Sequence, residues 1–274
     1  MNPREQEEFR GLYARLEDLA LRAEQGELAV TDFLSPREAH FAARYLARRG
    51  VGQYAYGGYE DAERTRLYLL PEYMLYGRED THEPFPASEW ASFLARFGYE
   101  TGIAALQIHG SGYRALTHRD YLGSLLGLGI ERSVLGDILV PEEGACAVVL
   151  CDATIAGFIE SEMTKAANDK VRVRRLTEDG FEAPPRQFLP IHDTVASGRL
   201  DCVIAALCGL SRERARETVC AGLEEINFES EDRPDRVVTA PALLSVRGFG
   251  RYRVLALTDR TRKGRIRLEA ERYV

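Results

Sequence analysis

Apolar residues recur at helical spacing near the N-terminus. A stripe from Phe9 to Ala20 predicts one amphipathic helix. The run Ser35–Glu38 predicts the start of a second helix, because its serine can cap the helix and its glutamate completes a capping box. Two strands, over 53–58 and 65–70, are predicted to follow. This pattern indicates a small α+β domain over residues 1–75.

The pattern then changes to an alternation of strands and helices, after a polar stretch and a predicted helix over 87–97. The predicted elements are a strand over Ile103–His109, a helix from Thr117 to Leu128, strands over 134–140 and 145–151 joined by a turn at 141–144, a helix over Ile155–Asn168 and a strand over Lys170–Leu176. This order of strand, helix, strand, strand, helix and strand is the ferredoxin-like, or alpha-beta plait, pattern. It predicts a middle domain over residues 76–182.

The Pro-rich run at 182–186 is typical of a linker and predicts a third domain over residues 183–274. A short extended piece, two helices over Leu200–Cys208 and Ser211–Ala221, and then mostly strands are expected there. The predicted fold class is therefore α+β, with three small domains.

Composition adds few constraints. The chain has 274 residues, of which 45% are hydrophobic and 29% charged, as in ordinary soluble proteins. It has no apolar run of membrane-spanning length and no apolar signal core at its N-terminus, so we expect a cytoplasmic protein without a membrane partner. Its five cysteines form no Cys-x-x-Cys pair, which predicts buried free thiols and no metal site. No cofactor is expected either.

Charge is distributed unevenly along the chain. The formal net charge is -7, yet the segment Ser245–Arg267 carries eight Lys and Arg residues and a single acid, Asp259. A focused positive patch on an acidic protein predicts a polyanionic partner.

The third domain also contains a candidate phosphate cradle. Ser211 can cap the second helix, and Arg212 and Arg216 share a face because they lie four residues apart. Helix N-terminal amides and two arginines on one face suit phosphate groups. The alternative is that these arginines only form a solvated helix face. The residues predicted to contact the polyanion are Arg199, Ser211, Arg212, Arg216, Asn227, Arg247, Gly248, Gly250, Arg251, Arg262, Lys263 and Arg265.

These positions resemble the S-four RNA-binding domain, the module named after the fourth small-ribosomal-subunit protein. The matching motifs, in order, are Arg199-Leu200-Asp201, Ser211-Arg212, Ala215, Gly222 and Ile226-Asn227. Two positions depart from the pattern of that family. Glu224 stands where the strand usually has valine, and Ala242 stands where a Gly-Asp turn usually carries aspartate.

Three longer segments extend the resemblance over nearly the whole chain. They are GGYEDAER (Gly57–Arg64), THRDYLGSLLGLGIERSVLGDILV (Thr117–Val140) and SVRGFGRYRV (Ser245–Val254). Together they are similar to the YlmH family of bacterial S-four proteins. The resemblance implies the three domains above and a role in ribosome-associated quality control: binding large subunits obstructed by peptidyl-tRNA and supporting C-terminal tailing of the stalled chain. It also implies an association with cell-division genes.

Two motifs imitate catalytic sites. His118-Arg119-Asp120 is similar to a kinase catalytic loop, but Leu125 stands where the metal-binding Asn is needed. Gly198–Asp201 is similar to the active-site stretch of pseudouridine synthases, but Ile204 replaces the hydroxyl residue that follows there. We therefore expect no catalytic residues and no enzyme activity. A pseudouridine synthase relative and a division adaptor stay open as alternatives.

A second RNA contact is predicted in the middle domain. The strand over 145–151 lacks the aromatic residues that an RNA-recognition sheet of this topology normally displays. Its edge offers Lys170, Arg172 and Arg174 instead, although charge on an edge strand also protects it from pairing. The expected partners are structured RNA, namely ribosomal RNA and also tRNA, and the large ribosomal subunit, bound by a monomer through shape and phosphate contacts.

Overall fold

The computed structural model of this chain divides into two compact units, Met1–Pro184 and Pro185–Val274. It describes residues 7–76, 86–141, 146–177, 183, 187–261 and 264–273. The predicted linker at 182–186 and the turn at 141–144 lie almost wholly outside these residues. Both units combine helices with antiparallel sheets, which confirms the α+β class. The boundaries of three separate domains stay a prediction.

The N-terminal elements form a three-stranded sheet with helices packed on it. They are α1 (Arg10–Glu24), β1 (Ala29–Val30), α2 (Pro36–Arg49), β2 (Gly52–Tyr56), β3 (Arg66–Leu70), α3 (Glu72–Leu75) and α4 (Ala87–Ala95). The predicted capping box of α2 is confirmed, since the Ser35 side chain accepts from the Glu38 amide and the Ser35 amide donates to the Glu38 carboxylate at 2.8 Å. Trp90 of α4 packs against Tyr68 of β3, so one apolar cluster spans the predicted boundary at residue 75.

The rest of the first unit contains the predicted alternation. Its main elements are β4 (Ile103–His109), α5 (His118–Gly127), β5 (Leu135–Leu139), β6 (Cys146–Asp152) and α6 (Ala156–Glu162), followed by β7 (Lys165–Ala166), β8 (Asp169–Lys170) and β9 (Arg172–Arg175). Four strands pair antiparallel in the order β5-β6-β4-β9, with β9 at an edge. The helices cover one face, where Tyr121 and Ile159 are fully buried. The opposite face of the sheet, called the open face, carries no helix of this alternation and faces the N-terminal elements.

The predicted helix over Ile155–Asn168 is wrong in its second half. Helix α6 ends at Glu162, and the chain then forms the small hairpin β7–β8. Two tertiary bonds hold this hairpin: the Ala167 amide donates to Ser124 Oγ at 2.9 Å, and the Ser111 amide donates to Asp169 Oδ2 at 3.0 Å. The apolar residues of this segment fit helical spacing, which is why the sequence predicts a helix. The hairpin forms instead because Ser124 and Ser111 bond to it. The predicted strand over Lys170–Leu176 is shortened in consequence, because Lys170 belongs to β8.

The N-terminal elements cover one end of the open face of the four-stranded sheet. Asp137 of β5 accepts hydrogen bonds from the Tyr59 hydroxyl at 2.7 Å and the Arg64 amide at 3.0 Å. Gly58 lies so close to Leu150 of β6 that an added Cβ would be 2.8 Å from its methyl group. This close approach and a φ of 103° require glycine at this position. At the other end of strand β4, His109 is exposed.

The second unit is built on a six-stranded antiparallel sheet. Its elements are β10 (Phe188–Val195), α7 (Leu200–Cys208), α8 (Arg212–Cys220), β11 (Glu224–Ile226), β12 (Glu229–Ser230), β13 (Ala242–Val246), β14 (Gly250–Arg260) and β15 (Ile266–Tyr273), and the strand order is β10-β15-β14-β13-β11-β12. Leu200, Val203 and Ile204 of α7 are fully buried against the sheet, as the sequence predicts. The short extended piece predicted before α7 is a full strand that pairs with β15 over its whole length.

The cysteines are free, but only part of the prediction of buried thiols holds. Cys151 and Cys202 are buried, whereas Cys220 is exposed. Among the described residues, no group of His, Cys, Asp and Glu side chains could hold a metal ion. The helices in the described part of the chain are also too short or too polar to cross a membrane.

Candidate nucleic-acid interface

A buried carboxylate organises the start of both helices in the second unit. Asp201 is 2% exposed and lies in the first turn of α7. Arg199 donates to its Oδ1 at 3.2 Å and Arg212 donates to its Oδ2 at 3.3 Å. Burial raises the pKa of Asp201, but hydrogen bonds from Arg199, Cys202 and Arg212 outweigh this and lower the pKa below its ordinary value. An ionised Asp201 therefore fixes two of the predicted arginines side by side.

Helix α8 carries the residues that are predicted to form the phosphate cradle. Ser211 is its N-cap and accepts a hydrogen bond from the Arg214 amide at 3.2 Å, as predicted from the sequence. Arg216 lies one turn after Arg212 and is exposed. In contrast to Arg212, it has no ion-pair partner among the described residues. It is therefore the helix cation that is most available to a phosphate.

The turn between β13 and β14 lies at the other end of α8. The Arg247 amide donates to the carbonyl of Leu223, just after the helix, at 3.0 Å. Gly248 and Gly250 have φ values of 88° and 120°, which side chains rarely allow, so glycine is required at this turn. We define the arginine row as Arg199, Arg212, Arg216 and Arg247, which follows α8 from its start to just beyond its end.

The basic C-terminal tail is not the single patch that the sequence predicts. Strand β14 separates Arg251 from Arg265 by its own length, about 30 Å for an eleven-residue strand. Arg253 pairs with Glu271 of β15 at 2.7 Å, and Arg265 donates to Thr194 Oγ1 at 2.8 Å. Arg262 and Lys263 lie outside the described residues. The acid that pairs with Arg253 and the hydroxyl that accepts from Arg265 come from the neighbouring strands β15 and β10.

Two predicted contacts, Asn227 and Arg251, have roles within the fold, and the residue after Arg251 is part of the core. Asn227 has a φ of 49° and accepts a hydrogen bond from the Leu243 amide at 2.8 Å, so its side chain holds the turn after β11. Tyr252 is 2% exposed and belongs to the core. Arg251 stacks on Tyr273, with its guanidinium carbon 4.8 Å from the ring centroid. The sequence gives no sign of this stacking because β15 supplies the ring.

The structure brings together two of the three residues predicted as a second RNA contact in the middle domain. Arg172 and Arg174 pair in register with His109 and Gln107 and lie on the open face of the sheet. Arg174 donates to Gln107 Oε1 at 2.7 Å. Lys170 is separated from them in the hairpin β7–β8, where it is exposed. Arg172 and Arg174 lie towards the end of β4 at which His109 is exposed.

Comparisons with known proteins give the family. Residues 8–74 match the family described as "YlmH, N-terminal", and residues 99–179 match the family described as "Putative RNA-binding domain in YlmH". A relative from Bacillus subtilis (strain 168), named ribosome-associated protein quality control protein P2, is 30% identical over 249 residues, which are 91% of this chain and 89% of the relative. The chain belongs to the YlmH family. A solved structure of cell division protein ylmH from Streptococcus pneumoniae is similar with a TM-score of 0.46, at 21% identity over 62% of this chain and 92% of that chain.

This YlmH family member buries an acid at Glu224, one of the two positions that depart from the pattern of the S-four resemblance. Glu224 is 1% exposed, and neither of its carboxylate oxygens has a hydrogen-bond partner among the described residues. Burial raises its pKa to about 7. Its partner in the neighbouring strand β13 is Val246. The Cys208 thiol is also close, and burial and then the charge of Glu224 raise the pKa of that thiol. Ala242, the other departure, is buried opposite Val254.

The two helix arginines of this YlmH family member should differ in their effect on stability. We expect Arg212→Ala to lower the free energy of unfolding by about 1 kcal/mol, because Arg212, although exposed, is one of two arginines that bond to a buried carboxylate. Arg216→Ala should change it by about 0.5 kcal/mol or less, as for exposed substitutions generally. Urea unfolding of the full chain measures both. Equal losses in the two variants would contradict the assigned contacts.

Proposed function

We propose that this protein is a non-enzymatic RNA-binding factor that associates with the large ribosomal subunit. The observation that carries the proposal is the arginine row, in which buried Asp201 fixes Arg199 and Arg212 next to the exposed side chain of Arg216. Guanidinium groups held in place suit bidentate contacts to phosphate. Recognition through phosphates and shape fits structured RNA, with ribosomal RNA as the main partner and tRNA as a second one.

The proposal assigns each part of the chain a domain. The second unit would be the S-four RNA-binding domain, over 183–274. Residues 76–182 would be the ferredoxin-like, or alpha-beta plait, domain, which the strand order β5-β6-β4-β9 supports. Residues 1–75 would form the N-terminal domain. Arg172 and Arg174 would make the secondary RNA contact, in a region whose family description also refers to RNA binding.

We propose ribosome-associated quality control as the process, on the strength of the name of the Bacillus subtilis relative. The protein would act in the cytoplasm as a monomer. It would bind large subunits that still carry peptidyl-tRNA and support C-terminal tailing of the stalled chain. Loss of tails on stalled chains in cells that lack this protein is the measurement for that step.

Catalysis by Asp201 is disfavoured by its surroundings. Both of its oxygens accept guanidinium hydrogen bonds, and its side chain is 2% exposed, so a uridine ring has little access to it. A uridine-isomerisation assay with Asp201→Ala as the control tests the pseudouridine synthase alternative. Isomerised uridine that disappears in this variant would overturn the non-enzymatic assignment.

Sucrose-gradient fractionation of cell lysate tests the proposed function. We expect the full chain to migrate with free large subunits, and ribonuclease treatment should release it to the top of the gradient. A protein that stays at the top without ribonuclease, in cells in which stalled large subunits accumulate, would contradict the proposal.

Binding should also depend strongly on salt. Four phosphate contacts through the arginine row would release about four counterions, which gives a log–log slope of affinity against salt of about −3 to −4. Fluorescence anisotropy with a labelled ribosomal RNA fragment, over a range of salt concentrations, measures the slope. A slope near zero would show that the arginines do not contact phosphate.

A further inference from the structure

The loop between β4 and α5 presents an aromatic ring to solvent on a fixed backbone. Tyr113 is 94% exposed. The loop beneath it is held by Ser111, whose amide and hydroxyl both donate to the Asp169 carboxylate. The Tyr113 amide in turn donates to Ser111 Oγ at 3.2 Å. The ring therefore projects from a position that the fold determines, although it contributes little to the core.

Cations surround this loop. Lys165 and Lys170 lie directly opposite each other in the hairpin β7–β8, next to the anchoring Asp169. Arg172 pairs in register with His109, the residue from which the loop departs. All three cations are exposed, and none has an ion-pair partner in the part of the chain that the structure describes. Like charges on opposite strand positions destabilise a hairpin, so a bound anion would relieve this arrangement.

The fourth nearby cation is already paired. Arg114 donates to Asp120 Oδ1 at 2.8 Å, and Asp120 also accepts from the amide and hydroxyl of Thr117 at the start of α5. Both acids named around this loop therefore already have hydrogen-bond partners within the protein. Asp169 is buried and bonded to Ser111, and Asp120 is bonded to Thr117 and Arg114. Of the charged residues named around this loop, those without an ion-pair partner among the described residues are the cations Lys165, Lys170 and Arg172.

We propose that this surface, defined as the Tyr113 site (Tyr113, Lys165, Lys170 and Arg172), binds an unpaired nucleotide of RNA. A base would stack on the exposed ring, and the flanking phosphates would lie at the three cations. Aromatic rings beside a positive surface are the usual means of holding single-stranded nucleic acid, and stacking tolerates any base. The inference rests on the proposed function and adds that this domain reads an unpaired segment, whereas the arginine row grips helical RNA.

The sheet itself offers little surface on which a base could stack, which is consistent with a stacking site in the loop. The N-terminal elements pack on the Leu150 end of the four-stranded sheet, and the central strand β6 carries no aromatic residue. Base stacking on the centre of the sheet is therefore disfavoured. Tyr113 lies beyond the opposite end, where β4 ends.

The test uses the full chain and two labelled RNA hairpins that differ only in a short unpaired uridine extension. Tyr113→Ala should weaken binding to the extended hairpin by about 5- to 150-fold, the range for one stacked base, and leave binding to the blunt hairpin within about 2-fold. Tyr113→Phe keeps the ring and should bind both hairpins as the wild type does. Thermal melting should be unchanged in both variants, because the side chain is exposed.

Separate outcomes distinguish this inference from the proposed function. Arg216→Glu should weaken both hairpins, because it acts through the arginine row. If Tyr113→Ala weakens neither hairpin, or both equally, the Tyr113 site does not bind an unpaired nucleotide, while the proposed function stands. If the wild-type chain binds neither hairpin, both the proposed function and this inference fail.

Discussion

Glu224→Gln should raise the free energy of unfolding of the second unit at pH 8 by about 3 kcal/mol relative to its effect at low pH, because it removes a destabilisation that depends on pH. The carboxyl has a pKa of about 7 in the folded chain, against an ordinary value of 4.5. Below pH 4.5 it is neutral in both states and contributes no pH-dependent cost. As pH rises from 4.5 through 7, the unfolded chain ionises first, so the folded state loses about 1.4 kcal/mol of stability per pH unit over this window.

The measurement is urea unfolding of the full chain at pH 5 and pH 8, for the wild type, Glu224→Gln and Glu224→Val. The difference between wild type and Glu224→Gln isolates this carboxyl from the other titrating groups. Glu224→Val should be the most stable variant at pH 8, because valine also removes the unpaired polar atoms from the core. If wild type and Glu224→Gln change in parallel between the two pH values, the carboxyl is not buried as described.

Reversing two exposed arginines of the arginine row should reduce RNA affinity at least about 100-fold at physiological salt. Arg216→Glu and Arg247→Glu together remove two phosphate contacts and place two anions against the RNA, and like-charge contacts cost several kcal/mol. The salt slope should also become shallower by about 2. Both side chains are exposed and have no ion-pair partner within the described ranges, so folding should be unaffected.

A matched control separates location from net charge. Arg48→Glu with Arg267→Glu produces the same change in net charge at exposed positions on α2 and β15. This variant should retain RNA affinity within about 3-fold, a loss that reflects only the long-range potential. Equal losses in the two double variants would show that the overall charge of the protein, and not the arginine row, determines binding.

Local signals in the sequence were sufficient for much of the fold. The capping box at Ser35, the helix Leu200–Cys208 and the strand Ile103–His109 are found as predicted, because their determinants lie within a few residues. The hairpin β7–β8 could not be predicted in this way. It depends on Asp169 meeting Ser111, 58 residues earlier in the chain, and such a contact has no local signature.

In the candidate site, too, the features set by neighbouring residues could be predicted, and those that need distant contacts could not. Ser211 as a helix cap follows from the sequence, whereas the bonds from Arg199 and Arg212 to Asp201 require that the two helices meet. Sequence proximity also misleads at the basic tail. Its arginines are close along the chain, but an extended strand separates them, and Glu271 neutralises Arg253 only through the register of β14 with β15.

Co-sedimentation with purified large ribosomal subunits tests the central claim most directly. The wild-type chain and the Arg48→Glu/Arg267→Glu control should pellet with the subunits, and the Arg216→Glu/Arg247→Glu variant, folded by circular dichroism, should stay in the supernatant. A folded Arg216→Glu/Arg247→Glu variant that pellets at the wild-type level would contradict the claim that the arginine row holds the ribosome.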